Sequence, residues 1–321
     1  MWSILFLGSL VVLVDWGRGQ DITLDGYIRD FAVGNSSLYA LTDDYLYKVS
    51  HNLAEITQKI SQRGILSRPD GKFERSTESS PVWKATYRVN LLVPFIKNNT
   101  LITCGSIKCG YCEVLDINDI SKSVHYEHLE VSPNGSAIGF VVDIKTKSTL
   151  ETYIFAASML STNTECPDAE YVVTLRNTND RQTGGIFSDI DQDQSPARIT
   201  TEDRSFNFVD GFQNDKYIYL FRNHRKGSLS VQLIWLEVKT NKKDTLGSLQ
   251  GATLQCCADR EHPQLLSSSL ITGGPPVLWA GVFTRNVTSD PVNTVLAIYD
   301  ISPSTGPDPV FCSNQVCKVC W

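Results

Sequence analysis

Hydrophobic and polar residues alternate with a period of two along most of the chain, and strand-forming residues recur in bursts bounded by Gly, Asn, Asp and Ser. This pattern predicts β-strands, and helical heptads are absent from the sequence. The predicted strands lie in pairs within 37–50 and 99–117, in 216–222 with 230–238, and in 277–284 with 294–301, and a further inner strand lies in 151–159. The chain is therefore expected to be all-β.

The bursts repeat at intervals of roughly 60 residues, a little longer than the usual propeller blade. A four-stranded blade cannot bury both faces alone, so successive blades stack radially around an axis. A β-sandwich would place turn signals every ~8–12 residues over only about 100 residues. The pattern therefore favours a β-propeller with about five blades. Two polar stretches, 67–81 and 189–204, are interpreted as insertions between strands, and their composition favours surface loops over partner-contacting loops.

The first residues resemble a secretory signal peptide. The apolar run 4–14 is too short to span a bilayer but suits a signal-peptide core, and Gly17 and Gly19 fit the positions before a cleavage site ahead of Gln20. A short buried helix is the alternative. No later stretch is apolar and long enough to cross a membrane, so a signal peptide over 1–19 and a released, extracellular chain are predicted.

Glycosylation and charge agree with secretion. Four N-glycosylation sequons begin at Asn35, Asn98, Asn134 and Asn286. The chain has 29 Lys and Arg against 35 Asp and Glu, a formal net charge of -6, which excludes the ordinary basic class of nucleic-acid binder.

Motifs for catalysis and cofactor binding are absent from the sequence. It contains no G-x-S-x-G elbow, H-E-x-x-H, P-loop or G-x-G-x-x-G. Asp189, Asp191 and Asp193 alternate like part of a calcium loop, but the Gly and the Glu of an EF-hand are missing. The sequence therefore predicts neither an enzyme, a cofactor nor a metal site.

The cysteines number nine, so at least one thiol is unpaired or intermolecular. In an oxidising compartment, structural disulfides are favoured over the zinc or redox roles of C-x-x-C spacings. Cys104 and Cys112 flank a tight turn between two strands and are predicted to form a disulfide that stabilises a blade edge by about 2–3 kcal/mol. The pairing of the others stays open: Cys109, Cys166, Cys256, Cys257, Cys312, Cys317 and Cys320.

Three segments resemble a known family. The segment N-T-L-I-T-C-G-S-I-K-C-G-Y-C from Asn99 is similar to the sema-domain pattern T-C-G-S followed by G-x-C, which marks the second blade of semaphorins, plexins and scatter-factor receptors. The run S-F-N-F-V-D-G-F (205–212) followed by D-K-Y-I-Y-L-F resembles a plexin strand entry. The runs Q-L-L-S-S-S-L and V-L-W-A-G-V-F within 264–283 are similar to the class C plexin, the receptor for class 7 semaphorins. Together the resemblance spans about four-fifths of the mature chain.

This resemblance implies a seven-bladed sema propeller that binds ligand and has no enzymatic activity, with the Cys104–Cys112 interval as the family's disulfide. It also implies edge-on docking of a semaphorin by the third and fourth blades, placed loosely within 184–226. The 222–226 segment is interpreted as a basic hairpin tip, with a merely solvated tip as the alternative. The candidate contact residues are Asp189, Asp191, Arg198, Arg204, Arg222, Arg225 and Lys226.

The expected organisation is a signal peptide (1–19), a partial sema propeller with about five of seven blades (20–301) and a divergent Cys-containing tail (302–321). The expected function is the semaphorin-binding portion of a plexin-like cell-surface receptor acting in axon guidance, cell adhesion and migration. The chain would be secreted, or the ectodomain of a plasma-membrane receptor. Alternatives are a truncated soluble semaphorin decoy and, remotely, a secreted propeller glycosidase, which would carry repeated S-x-D-x-G-x-T-W boxes that are not visible here.

Overall fold

The computed structural model describes residues 3–7, 10–14, 22–51, 55–61, 65–67, 73–75, 89–105, 111–128, 137–158, 172–178, 197–198, 206–226, 228–254, 264–274, 276–284 and 294–302. Within the predicted signal peptide, β1 (Ser3–Leu7) and β2 (Leu10–Val14) form a two-stranded antiparallel sheet. Cleavage before Gln20 stays a prediction.

Five larger antiparallel sheets follow in the described ranges, and we number them blades 1 to 5. Blade 1 contains β3 (Ile28–Val33), β4 (Ser37–Thr42), β5 (Tyr45–Ser50) and β6 (Ile56–Ser61). A small hairpin of β7 (Ile65–Ser67) and β8 (Phe73–Arg75) lies in the insertion predicted after it. Blade 2 contains β9 (Val89–Phe95), β10 (Thr100–Gly105), β11 (Tyr111–Asp116) and β12 (Ser123–His128).

The next two blades repeat the plan of four strands in sequence order. Blade 3 contains β13 (Ala137–Lys145), β14 (Leu150–Ser158), β15 (Val172–Asn177) and β16 (Ala197–Arg198). Blade 4 contains β17 (Phe206–Asn214), β18 (Tyr217–Lys226), β19 (Ser228–Glu237) and β20 (Gln250–Leu254). Blade 5 has three described strands, β21 (Gln264–Thr272), β22 (Leu278–Thr284) and β23 (Thr294–Asp300).

Helical structure is minor in the described ranges. A 3-10 turn spans Ile96–Asn98, and the α-helix α1 spans Lys242–Gly247 between β19 and β20. Asn241 caps α1, because its side-chain oxygen accepts a hydrogen bond from the Asp244 amide at 2.8 Å. Among the described residues, no helix has the length and apolar character needed to cross a membrane.

Apolar side chains fill the space between successive blades. The clusters include Leu41 with Leu101 between blades 1 and 2, Ile102 with Ile154 between blades 2 and 3, Phe155 with Leu220 between blades 3 and 4, and Phe221 with Trp279 between blades 4 and 5. Strand β10 is buried at every position because alternate residues face opposite neighbours: Leu101 faces blade 1 and Ile102 faces blade 3. This stacking of sheets, each burying the next, is the propeller arrangement predicted from the repeat.

The first strands of successive blades contact one another, β3 with β9, β9 with β13, β13 with β17 and β17 with β21. Strands β13 and β17 run in the same direction. Gln213 late in β17 contacts Asp143 late in β13, whereas Gly211 and Phe140 approach each other earlier in the same strands. All turns between first and second strands therefore lie at one end of the propeller. The described ends of the second strands and starts of the third strands lie at the opposite end.

Candidate ligand-binding surface

Four of the candidate contact residues can be located on strands. Arg198 ends β16, the outer strand of blade 3. Arg222, Arg225 and Lys226 belong to β18 in blade 4. The remaining three, Asp189, Asp191 and Arg204, lie outside the described residues, as does most of the loop that contains them.

Arg222 is buried in the described structure, whereas its prediction as a contact residue requires an exposed side chain. Its side chain is only 3% exposed, and its Nε and Nη2 atoms donate to Oε1 of Gln232 at 2.9 and 2.6 Å. Arg222 lies on the same face of β18 as Ile218 and Leu220, which pack against blade 3. Strand β18 can therefore carry a buried arginine, because Gln232 accepts its hydrogen bonds in the space between the blades.

Asn223 points to the other side of β18 and joins blade 4 to blade 5. Its side-chain amide donates to the Leu265 carbonyl at 2.8 Å and accepts from the Leu265 amide at 2.7 Å. Because Asn223 is buried, these two bonds satisfy the Leu265 amide and carbonyl in place of water. Sequence reasoning missed this residue, because the partner lies 42 positions away.

The segment predicted as a basic hairpin forms the last part of β18, which pairs with β19 up to Lys226 opposite Ser228. Strand β17 stops pairing with β18 at His224, and β20 stops pairing with β19 at Val231. Strands β18 and β19 continue beyond these points, with Arg225 opposite Leu229 and Lys226 opposite Ser228. Within the described residues, the β18–β19 pairing is therefore longer than the pairing with β17 and β20, and its last residues on β18 are Arg225 and Lys226. We call the side of the propeller at which this β18–β19 ribbon ends the ribbon end.

The disulfide of blade 2 also lies at the ribbon end. Cys104 and Cys112 face each other on β10 and β11 and are bonded, as the hairpin spacing in the sequence predicts. Both cysteines are buried against blade 3, in a cluster that also contains Val114 of blade 2 and Ile154 of blade 3. The bond fixes the end of a hairpin whose turn, 106–110, lies outside the described residues.

Two predicted glycosylation sites lie at the opposite end, which we call the sequon end. Asn35 follows β3 and Asn98 follows β9, so both occupy the turn between the first and second strands of their blades. Both residues are exposed. The other two sequons, at Asn134 and Asn286, lie outside the described residues.

Polar contacts between blades concentrate at the sequon end. The Tyr39 hydroxyl of blade 1 donates to the Ile117 carbonyl of blade 2 at 3.1 Å. Lys97 of blade 2 pairs with Asp143 of blade 3 at 2.8 Å. Gln213 of blade 4 donates to the Asp143 carbonyl at 2.8 Å and accepts from the Asp143 amide at 2.7 Å. At this end, hydrogen bonds and an ion pair between polar groups therefore join neighbouring blades.

A cavity of about 580 Å³ lies along the axis, toward the ribbon end. Its wall includes Arg29 and Asp30 of β3 and Asp210 of β17, and Arg29 is paired with Asp43 at 3.2 Å. Desolvation raises the pKa of Asp30, which lies in the wall of the cavity. Burial likewise raises the pKa of Asp210, against the opposing effect of a hydrogen bond from Ser268.

The chemistry of this cavity is limited in the described part of the chain. The two carboxyl groups belong to different blades, and Asp210 is engaged by Ser268 of blade 5. Within the described ranges, no group of three or more His, Cys, Asp and Glu side chains is placed to hold a metal ion.

Comparison with known proteins finds similar solved structures but no similar sequence. No family model and no curated protein sequence matches the chain. The extracellular region of plexin A4 superposes with a TM-score of 0.62 at 17% identity, over 85% of this chain and 34% of that chain. Drosophila semaphorin 1a, extracellular domains 1–2, superposes with a TM-score of 0.54 at 11% identity, over 84% of this chain and 52% of that chain.

A third structure, described as Drosophila plexin A in complex with semaphorin 1b, gives a TM-score of 0.53 at 12% identity over 88% of this chain and 54% of that chain. This chain therefore spans between about a third and about half of the length of these matched chains. At such low identity the likeness establishes the fold alone. The chain has the all-β propeller fold of plexin and semaphorin extracellular regions.

Proposed function

We propose that this chain is the semaphorin-binding portion of an extracellular receptor of the plexin type. The observation that carries the proposal is the propeller fold shared with plexin A4 and with the structure of plexin A in complex with semaphorin 1b. The sema-like segment around Cys104 and Cys112 supports it, because the disulfide joins β10 and β11 in the second blade. In this function the chain recognises a partner by surface complementarity and catalyses no reaction.

The finer proposal is a class C plexin with a class 7 semaphorin as its partner. It is supported by the resemblance of the 264–283 segment, whose residues build β21 and β22 of blade 5. Location outside the cell is supported by the predicted signal peptide, the disulfide and the exposed sequons at Asn35 and Asn98. Roles in axon guidance, cell adhesion and migration follow from such a receptor.

Binding to purified semaphorins tests the proposal. The chain is expressed with its own N-terminus in mammalian cells, collected from the medium and immobilised for surface plasmon resonance. A class 7 semaphorin ectodomain is expected to bind saturably, and semaphorins of other classes more weakly. Absence of binding to every semaphorin class, from a folded chain, would refute the receptor function. Binding to another class alone would refute only the class assignment.

A matched pair of variants shows whether binding uses a folded propeller. Trp279→Ala removes a fully buried ring between blades 4 and 5, whereas Leu296→Ala removes a half-exposed side chain from the same sheet. The first variant is expected to lose binding along with folding, and the second to keep both. Incubation of the parent protein with sialylated glycans tests the glycosidase alternative, and no turnover is expected.

A further inference from the structure

The bend before β3 presents a tyrosine to solvent. The Tyr27 side chain is 84% exposed, the highest value among the exposed large apolar side chains of the described residues. Every other tyrosine whose side chain is described is buried or half-buried. Within the described part of the chain, Tyr27 makes no hydrogen bond, ion pair or ring contact with another residue. Its phenol oxygen is therefore accessible to a modifying enzyme.

The backbone geometry explains why Tyr27 is so exposed. Gly26 has a φ angle of +90°, which residues other than Gly rarely adopt, so the chain bends immediately before Tyr27. The bend lies against the turn between β4 and β5, since a Cβ atom on Gly26 would lie 3.5 Å from Cβ of Thr42. Asp25 also anchors it through an ion pair with Lys59. The backbone at Tyr27 is therefore held while the side chain points into solvent.

Carboxylates flank this tyrosine in sequence and across the bend. Asp25 precedes Tyr27 by two positions, and Asp30 follows it by three. The adjoining β4–β5 turn contributes Asp43 and Asp44, which follow Thr42 directly. These four carboxylates outnumber the nearby cations, which are themselves paired with two of them: Arg29 with Asp43 at 3.2 Å and Lys59 with Asp25 at 2.5 Å. The surroundings of Tyr27 are therefore acidic.

We propose that Tyr27 accepts a sulfate group from a tyrosyl sulfotransferase of the secretory pathway. Such enzymes modify exposed tyrosines flanked by Asp and Glu, because a cationic active site that holds activated sulfate also attracts an acidic acceptor segment. The inference rests on the extracellular location proposed above, which takes the chain through this compartment. It does not require that the chain binds a semaphorin.

The transfer is a substitution at sulfur. The phenol oxygen of Tyr27 forms a bond to the sulfur of a nucleotide phosphosulfate, and the bond from that sulfur to the bridging phosphate oxygen breaks. The nucleotide phosphate leaves with the electron pair, the phenolic proton passes to a base of the transferase, and no atom changes oxidation state. The product adds a fixed negative charge next to the exposed apolar side chains of Ile28 and Phe31.

Tyr45 provides an internal comparison. Asp43 and Asp44 precede it directly, so local acidity alone would favour Tyr45 as the acceptor. Its side chain is half-buried, however, and Nζ of Lys59 lies over its ring at 3.8 Å from the centroid. We therefore expect Tyr45 to stay unmodified in the folded protein, because exposure as well as acidity selects the acceptor.

Mass spectrometry of the secreted chain tests the proposal. Protein from the medium of mammalian cells is deglycosylated and digested with trypsin. The peptide that ends at Arg29 contains Tyr27 as its only tyrosine, and the peptide 30–48 contains Tyr45. We expect the first peptide to be heavier by one SO₃ group and the second to be unmodified. The added mass should resist phosphatase and should be absent both from Tyr27→Phe and from cells grown in chlorate, which blocks formation of the phosphosulfate donor.

The outcomes separate this inference from the proposed function. An unmodified Tyr27 in a secreted chain would overturn the inference, as would sulfate found only on other tyrosines or an added mass that phosphatase removes. A chain that never reaches the medium would contradict the extracellular location, and the assignment of Tyr27 with it. Binding of semaphorins is measured independently, so its failure leaves the sulfation result unchanged.

Discussion

The indole of Trp279 in blade 5 lies flat against the ring of Phe221 in blade 4, with ring centroids 3.9 Å apart and an interplanar angle of 2°. Both side chains are fully buried. Phe283 and Tyr299 of blade 5 surround the same indole, at centroid distances of 6.3 and 5.7 Å. A stacked aromatic pair at the centre of an interface between two sheets contributes both buried area and a preferred geometry.

Removal of this indole should destabilise the propeller strongly. We expect Trp279→Ala to lower the free energy of unfolding by about 3–5 kcal/mol, because it deletes a large buried side chain and leaves a cavity. Urea unfolding followed by circular dichroism measures the change. The control is Leu296→Ala on the neighbouring strand, where 49% of the side chain is exposed and the loss should be much smaller. Equal losses in the two variants would contradict the central role of the stack.

The close approach of blades 2 and 3 depends on a residue without a side chain. A Cβ atom on Gly139 would lie 2.8 Å from Cδ1 of Leu91 and 3.0 Å from the Phe155 carbonyl oxygen. Gly139→Ala is therefore expected to lower the unfolding free energy by about 1–3 kcal/mol through overpacking. In a double-mutant cycle of unfolding free energies, Gly139→Ala and Leu91→Ala together should cost less than the sum of their separate losses, because Leu91→Ala removes the clash. The control, Gly274→Ala, has open space around the new methyl group and should be nearly neutral.

The Asn223 amide should matter more to stability than the similar amide of Gln213. Asn223→Ala leaves the buried amide and carbonyl of Leu265 without their partner, at a cost of about 1–3 kcal/mol for each unsatisfied group. Gln213→Ala removes the same kind of paired bond to Asp143, but at a half-buried site that water can reach. Chemical unfolding of both variants measures the difference. A larger loss for Gln213→Ala would show that burial does not set these contributions.

The sequence predicts the middle strands of each blade better than the edges. Strands such as β10 and β18 pack on both faces, so their apolar runs are long and easily recognised. The first strand of blade 5, β21, is harder to recognise because it reads Q-L-L-S-S-S-L-I-T, with small polar residues in its middle. The outer strand β6 alternates half-buried and exposed positions over a short length.

The candidate contact surface was less predictable, for a physical reason. A run of Arg, Asn, His, Arg and Lys is typical of an exposed turn, since charged residues are rarely buried. Arg222 is buried because Gln232 on the adjacent strand accepts two of its N–H groups. Such partners depend on strand register and blade packing, which local composition does not contain. The Cys104–Cys112 pair was accessible to sequence reasoning because both cysteines belong to one hairpin.

Two carboxyl groups should give opposite pH dependence of stability. The pKa of Asp210 is raised by burial, so folding favours its protonated form, and the stability it contributes at low pH is lost as pH rises through its folded pKa. Asp210→Asn imitates the neutral form. We therefore expect the variant to match the parent near pH 3 and to gain in Tm relative to the parent as pH approaches neutrality.

Asp119 provides the matched comparison, since its pKa is lowered. A hydrogen bond from the Ser121 hydroxyl, followed by one from Lys122, lowers the Asp119 pKa from 3.8 to about 2. Its contribution is present above 3.8 and is lost as pH falls through about 2. Asp119→Asn should therefore lower Tm near neutral pH and approach the parent at the acid limit. Thermal unfolding between pH 2 and 8 measures the difference in Tm between each variant and the parent. Differences of the same sign would show that burial does not penalise the Asp210 carboxylate.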